Sequence, residues 1–161
     1  MRLDYEIGGR IGLDARGHRL EASLTAYRVD CRNQQMTVFP YGNGTGRMMA
    51  NAGRSRSLGV EAEASWMWKG LSVSFAGNLM DARFVDYNDG REDWSGNRIP
   101  YSPASTLYLR CGYKFLTGGR FLRSVSLNAD INRSGKIYWN EAGDISQPPY
   151  SLIGTDVRLA T

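Results

Sequence analysis

Apolar and polar side chains alternate along most of this chain with a period of two, most legibly between Leu58 and Leu79. If Lys69 and Gly70 form a two-residue turn, Trp68 faces Leu71, Trp66 faces Val73, Ala64 faces Phe75, Ala62 faces Gly77 and Val60 faces Leu79, and every pair is apolar or small. The other face then pairs Met67 with Ser72, Ser65 with Ser74, Glu63 with Ala76, Glu61 with Asn78 and Gly59 with Met80, and is largely polar. A slip of one residue would set Trp66 against Ser72 and mix the faces along the whole hairpin, so the pattern selects this register. Gly70 is expected to supply the positive φ of the turn, Lys69 being a poor first residue for it. Each arm has about the 9 to 11 residues that a tilted strand needs to cross a bilayer. In a soluble sandwich the apolar face would be the core; in a membrane barrel it would meet lipid.

The same alternation predicts strands elsewhere. Residues 3–13 set Tyr5, Ile7, Gly9, Ile11 and Leu13 against Asp4, Glu6, Gly8, Arg10 and Gly12, and a short turn over 14–19 leads to a second strand ending near Arg32. A long polar connection over 33–56 precedes the central hairpin, its end extending the next strand, and the pattern fades near Phe84 into another long loop, 85–103. A fifth strand follows over 106–115, a turn with Gly118 and Gly119, and a sixth over 125–132; a third long connection, 133–149, leads to a seventh from Tyr150 onward. Short and long connections alternate, so all short turns fall at one end of the meander and all long loops at the other, as in outer-membrane barrels. Trp66, Trp68, Tyr113, Phe115 and Phe121 gather at the short-turn end, and Tyr5, Phe84, Tyr101, Tyr138, Trp139 and Tyr150 toward the long loops, as two interfacial belts would. The expected fold is all-β: an antiparallel up-and-down meander of about seven strands, part of a large transmembrane β-barrel.

Composition narrows the classes. The 161 residues are 42% hydrophobic, enough for one domain, with no apolar run long enough for a membrane helix and a mean hydropathy of −0.43. The net charge of +4 raises nucleic acid as a partner, but no basic helix, zinc spacing or RNP-like strand supports it, so none is expected. Cys31 and Cys111 fall in different strands without CxxC or metal-type spacing and read as small apolar residues. The opening MRLDYEIGG lacks the apolar segment of a signal peptide, so an outer-membrane reading expects further sequence ahead of it.

Several stretches carry a family resemblance. NAGRSRSLGVEAEASW (residues 51–66) resembles the segment of TonB-dependent outer-membrane receptors in which Asn-Ala-Gly leads into a Gly-Val/Ile-Glu-x-Glu strand, and YEIGGR (5–10) resembles the strand before it. NQQMTVFP (33–40), DARFVDYNDG (81–90), GNRIPYSP (96–103) and residues 138–154 fit the same order, most similar to ferric-siderophore receptors of the yersiniabactin and pesticin type. The resemblance implies a barrel of about 22 strands in the bacterial outer membrane, a plug domain, and contact with TonB in the periplasm through that plug region. It makes residues 1–161 a partial barrel, with the plug and the final strands outside the chain. The implied function is TonB-dependent uptake of a ferric siderophore or similar chelate by a transporter that is not an enzyme and carries no cofactor. The alternatives are a passive porin-type channel and a soluble β-sandwich binding module.

His18 reads as a solvated turn residue, and Gly42, Gly44 and Gly46 as loop flexibility, because Arg47 stands where a dinucleotide fingerprint needs its last glycine. Asp86, Asn88, Asp89, Glu92 and Asp93 brush against a calcium-loop pattern without its spacing, so no metal site is expected. Glu61, Glu63, Asp130 and Asp156 are expected to face the lumen, where water or plug residues can pair them. For an anionic chelate, the candidate contacts are Arg47, Arg83, Tyr87, Arg91, Trp94, Arg98, Tyr138 and Trp139, a cationic and aromatic mouth to which Tyr41 belongs. Arg54 and Arg56 share the parity of the apolar face of their strand, so unless a bulge near Gly53 or Gly59 turns them inward they are expected to meet lipopolysaccharide phosphate outside the barrel. The bland reading of all these arginines is pairing with Asp and Glu of neighbouring loops.

Overall fold

In the computed structural model the described residues are 1–38, 48–88 and 92–160, with side chains described outside 33–52. Seven strands form one antiparallel sheet in chain order: β1 (Arg2–Ala15), β2 (His18–Val38), β3 (Met48–Trp68), β4 (Leu71–Asp86), β5 (Ser105–Leu116), β6 (Ser124–Ser134) and β9 (Tyr150–Ala160). A separate two-stranded ribbon, β7 (Ile137–Tyr138) with β8 (Ser146–Gln147), interrupts the last long connection, a feature too short for alternation to reveal.

The central hairpin has the expected register throughout, from Trp68↔Leu71 to Gly59↔Met80. Its turn differs. The positive φ falls on Lys69 (52°), and Gly70 is not in the left-handed region. Gly70 is required for another reason: its carbonyl accepts the Lys114 amide at 2.8 Å, and a Cβ there would lie 2.3 Å from the Lys114 carbonyl oxygen. Lys69 gains a partner of its own, its Nζ standing 4.7 Å over the Trp68 ring. The first turn narrows to Arg16 and Gly17, both with positive φ (53° and 78°), the pattern that suits the twist of a hairpin.

The strands reach further toward the long loops than alternation showed. β2 continues to Val38 and β3 begins at Met48, paired from Gln34↔Ala52 to Val38↔Met48. Backbone ladder bonds continue where an apolar face is no longer required, so the periodic signal ends before the strand does.

One face carries an unbroken apolar band across all seven strands, through rows such as Ile7↔Ala26, Ala26↔Val60, Val60↔Leu79 and, further along the sheet, Phe75↔Leu109, Leu109↔Ile131 and Ile131↔Ile153. No described residue covers this band: Ile7 is 78% exposed, Leu79 66% and Ile153 78%. A sandwich would bury such a face beneath a second sheet, and among the described residues the only buried hydrophobics are Ala82, Phe84 and Tyr87. Among the described residues the band has no second sheet against it, the arrangement of a barrel wall and not of a self-contained sandwich.

His18 is not a free turn residue. It stacks on Trp68 and Trp66, with ring centroids 5.2 and 6.0 Å away, and joins Tyr113 and Phe115 (4.5 Å apart) in an aromatic belt at the short-turn end of the band. Phe84 and Tyr150 leave the opposite belt. Each follows the parity of the polar face, Phe84 opposite Ser55 and Tyr150 opposite Ser134.

Candidate functional site

The chemistry of the segment divides between the two faces of the sheet. On the polar face, Arg10 pairs with Glu21 (2.9 Å), and Asp156 receives Arg110 (2.7 Å), Asn128 (2.8 Å) and Arg158 (3.2 Å). Asp156 is thus paired by its own sheet, with no external partner required. Glu61 and Glu63 instead border a hollow of about 590 Å³ with Asn78, Tyr108, Asn132 and Tyr150. Tyr27 lies flat over Gly59 on this face, where a Cβ would meet its ring at 2.3 Å, and its hydroxyl reaches Asn78 at 3.3 Å.

Above the hollow, the segment after β4 folds back along it. Gly96 donates to the Phe84 carbonyl (2.8 Å), Phe84 to Asn97 (3.0 Å) and Ile99 to Ala82 (3.0 Å). Phe84 and Tyr87, ring centroids 4.7 Å apart, form a small core closed by Trp94 and Ile99. Asp93 accepts the Ser95 amide at 2.9 Å, and its hydrogen bonds from Ser95 hold its carboxyl below the usual range. The β7–β8 ribbon leans on this loop: Tyr101 donates to the Tyr138 carbonyl (2.8 Å), its ring meets Trp139 edge-on at 5.5 Å, and Lys136 stands 4.6 Å over Tyr138.

The apolar-band face ends, at the same height, in charge. Arg28 and Arg56 both bind Asp30 (2.6 and 2.8 Å), Arg83 and Arg98 both bind Asp81 (2.9 and 3.0 Å), and Arg54 meets Asp86 at 3.5 Å. Parity assigns the face, since Leu58, in the apolar series of β3, pairs with both Arg28 and Asp81. A register shift does occur beside Arg54, but the extra residue is Val85 on β4: Ser55 pairs with Phe84 and Arg54 with Asp86. The β2–β3 register is unbroken there, so Arg54 and Arg56 keep the outward face.

The eight proposed chelate contacts therefore separate. Tyr87 and Trp94 belong to the loop core, Arg83 and Arg98 to the outward charged rim, and Tyr138 and Trp139 to the loop–ribbon contact, with Trp139 39% exposed. Arg47 and Arg91, and with them Tyr41, lie outside the described residues. Arg28, Asp30 and Arg32 were missed as part of the rim, although the signal was present: the even-numbered series Leu20, Leu24 and Ala26 of β2 simply continues into them.

The family described as TonB dependent receptor-like, beta-barrel matches residues 4–160. The chain belongs to this family. Its sheet is accordingly a wall of a TonB-dependent receptor barrel, the apolar band facing lipid and the polar face the interior. The pesticin receptor of Yersinia enterocolitica is 31% identical over 102 residues, covering 63% of this chain and 14% of that receptor. The ferric yersiniabactin uptake receptor FyuA from Yersinia pestis has the same fold (TM-score 0.63, 20% identity), with 96% of this chain and 22% of that one covered. So does BauA, the ferric preacinetobactin receptor from Acinetobacter baumannii (TM-score 0.75, 16% identity, 99% and 22% covered). The chain thus spans about 14% of the length of its curated relatives and 22% of these structures. The family is one of receptors and not of enzymes.

Proposed function

We propose that this segment forms part of the wall and mouth of an outer-membrane receptor that takes up a ferric siderophore or related chelate, driven by TonB through a plug region outside the chain. The family match over residues 4–160 carries the reading, and the 31% identity to a pesticin receptor agrees with it. The wall geometry supports it too, with a polar interior face topped by a packed loop and an aromatic ribbon. Of the candidate contacts, Tyr138 and Trp139 are the best placed for ligand, because Tyr87 and Trp94 are occupied in packing and Arg83 and Arg98 in the outward rim. On the lipid side the reading sets the apolar band in the outer membrane and the rim among lipopolysaccharide headgroups.

The test is uptake of radiolabelled iron from a panel of ferric siderophores by cells carrying or lacking the full-length gene, with and without TonB. Uptake should require both. Entry that persists without TonB would replace this reading with that of a passive channel, and Tyr138→Ala with Trp139→Ala should lower affinity for the transported chelate at least threefold.

A further inference from the structure

The register of the outward rim sets arginine directly opposite arginine three times: Arg32↔Arg54, Arg56↔Arg83 and Arg83↔Arg98. Like charges facing each other across strands are destabilising, and the wall elsewhere avoids the arrangement, placing Arg110 opposite Asp130. The three aspartates of the rim, Asp30, Asp81 and Asp86, relieve only part of the repulsion among six arginines, and Arg32 has no ion pair among the described residues. A cavity of about 220 Å³ opens where the excess is greatest, bordered by Arg28, Arg32, Arg54 and Arg56, with Asp30 and Val85. Guanidinium forks suit phosphate oxygens, and a positive cluster lacking its full complement of anions calls for one from outside.

The source of that anion follows from position. The cavity is on the face that carries the apolar band, with Leu3 and Tyr5 at its edge, so a molecule seated there has its apolar part against the band and its charged part against the arginines. It lies at the long-loop end, which in such barrels is extracellular. We propose that this arginine rim is a binding site for the phosphate of an outer-leaflet glycolipid of the lipopolysaccharide type, with Arg32, Arg54 and Arg56 as its principal donors. This deepens, and rests on, the outer-membrane reading above.

The experiment uses the full-length receptor in detergent, with di-phosphorylated lipid A, its dephosphorylated form and inorganic phosphate as separate probes. Heat-modifiable gel mobility confirms that each variant is folded. Changing Arg32, Arg54 and Arg56 together to Gln should weaken lipid A binding at least tenfold, and removing the lipid's phosphates should weaken wild-type binding as much. Arg32→Gln alone, which breaks no ion pair described here, should cost about threefold and serves if the triple variant does not fold. Arg10→Gln, on the interior face, should change nothing. Binding within twofold of wild type in the triple variant, an equal loss in Arg10→Gln, or displacement of lipid A by equimolar inorganic phosphate would each overturn the assignment. Iron uptake measured in the same strains tests the transport reading separately: a receptor that retains lipid A but moves no chelate refutes that reading and leaves this one standing.

Discussion

Arginine at Leu24 would stand at the middle of the apolar band. Leu24 lies midway along β2 between His18, in the lower aromatic belt, and Asp30, in the charged rim, which places it about 20 Å along the strand from either polar boundary. Its partners in the band are Gly9 and Ala62, so the new side chain meets no steric obstacle and its cost is that of placing the charge in hydrocarbon. That cost is about 2–4 kcal/mol near the midplane, roughly 30- to 1000-fold in the folding equilibrium. Leu127 also faces lipid, but it pairs with Tyr113 of the aromatic belt, so Leu127→Arg should cost only about 1–2 kcal/mol as the guanidinium reaches the interface. Thr25, the neighbour of Leu24, faces the interior opposite Glu61, and Asn128 lies beside Asp156, so arginine at either should cost under about 1 kcal/mol. Denaturant unfolding of the full-length receptor in lipid vesicles measures all four. A cost for Thr25→Arg equal to that for Leu24→Arg would refute the assignment of faces, and equal costs at Leu24 and Leu127 would refute the assignment of depth.

Three further outcomes follow from local geometry. Gly70→Ala should destabilise the barrel by about 1–3 kcal/mol in the same unfolding assay, because its Cβ would push into the Lys114 carbonyl and open the β4–β5 ladder. Phe84→Ala removes half of the loop core, about 3–5 kcal/mol of local stability, and should make residues 92–104 susceptible to limited proteolysis while the barrel's heat-modifiable mobility is retained. Asp93, its carboxyl held low by Ser95, stabilises the loop at pH values above the ordinary carboxylate range; that contribution is lost as pH falls through the depressed value, so amide protection near Ser95, taken relative to the intrinsic exchange rate, should persist through the ordinary carboxylate range and be lost only below it.

The band of the sheet was legible because a lipid-facing strand must alternate over its whole crossing, and the pairing of Val60 with Leu79 follows from that requirement alone. The tops of β2 and β3 were not, since the charged stretch through Arg28, Asp30 and Arg32, and Arg54 and Arg56 opposite, interrupts the apolar series before the ladder ends. Arg54 and Arg56 could be assigned outward because β3 alternates without a break. Arg83 and Arg98 could not be separated from the mouth by composition, since arginine beside tyrosine and tryptophan has the same appearance on either side of a wall. The β7–β8 ribbon is held by backbone pairing and by ring contacts such as Tyr101 with Trp139, which join residues far apart in the chain.

The extra residue at Val85 links the two chemistries of the rim. Under strict alternation Phe84 and Asp86 would face the interior together, with Tyr87 outside on the lipid side. With the bulge, Asp86 comes opposite Arg54 on the outward face while Phe84 and Tyr87, three residues apart, meet in the interior core. Consecutive apolar residues, Phe84 and Val85, are its only mark in the sequence. On the facing strand, Gly53 leaves room for it: a Cβ there would lie 2.8 Å from the Asp86 carbonyl oxygen. A single backbone irregularity therefore serves both the Phe84–Tyr87 core on the interior face and the Arg54–Asp86 pair on the outward one. Flattening the bulge, with Val85 taken into regular pairing, would disturb both at once, returning Asp86 to the interior parity and Tyr87 to the outward one.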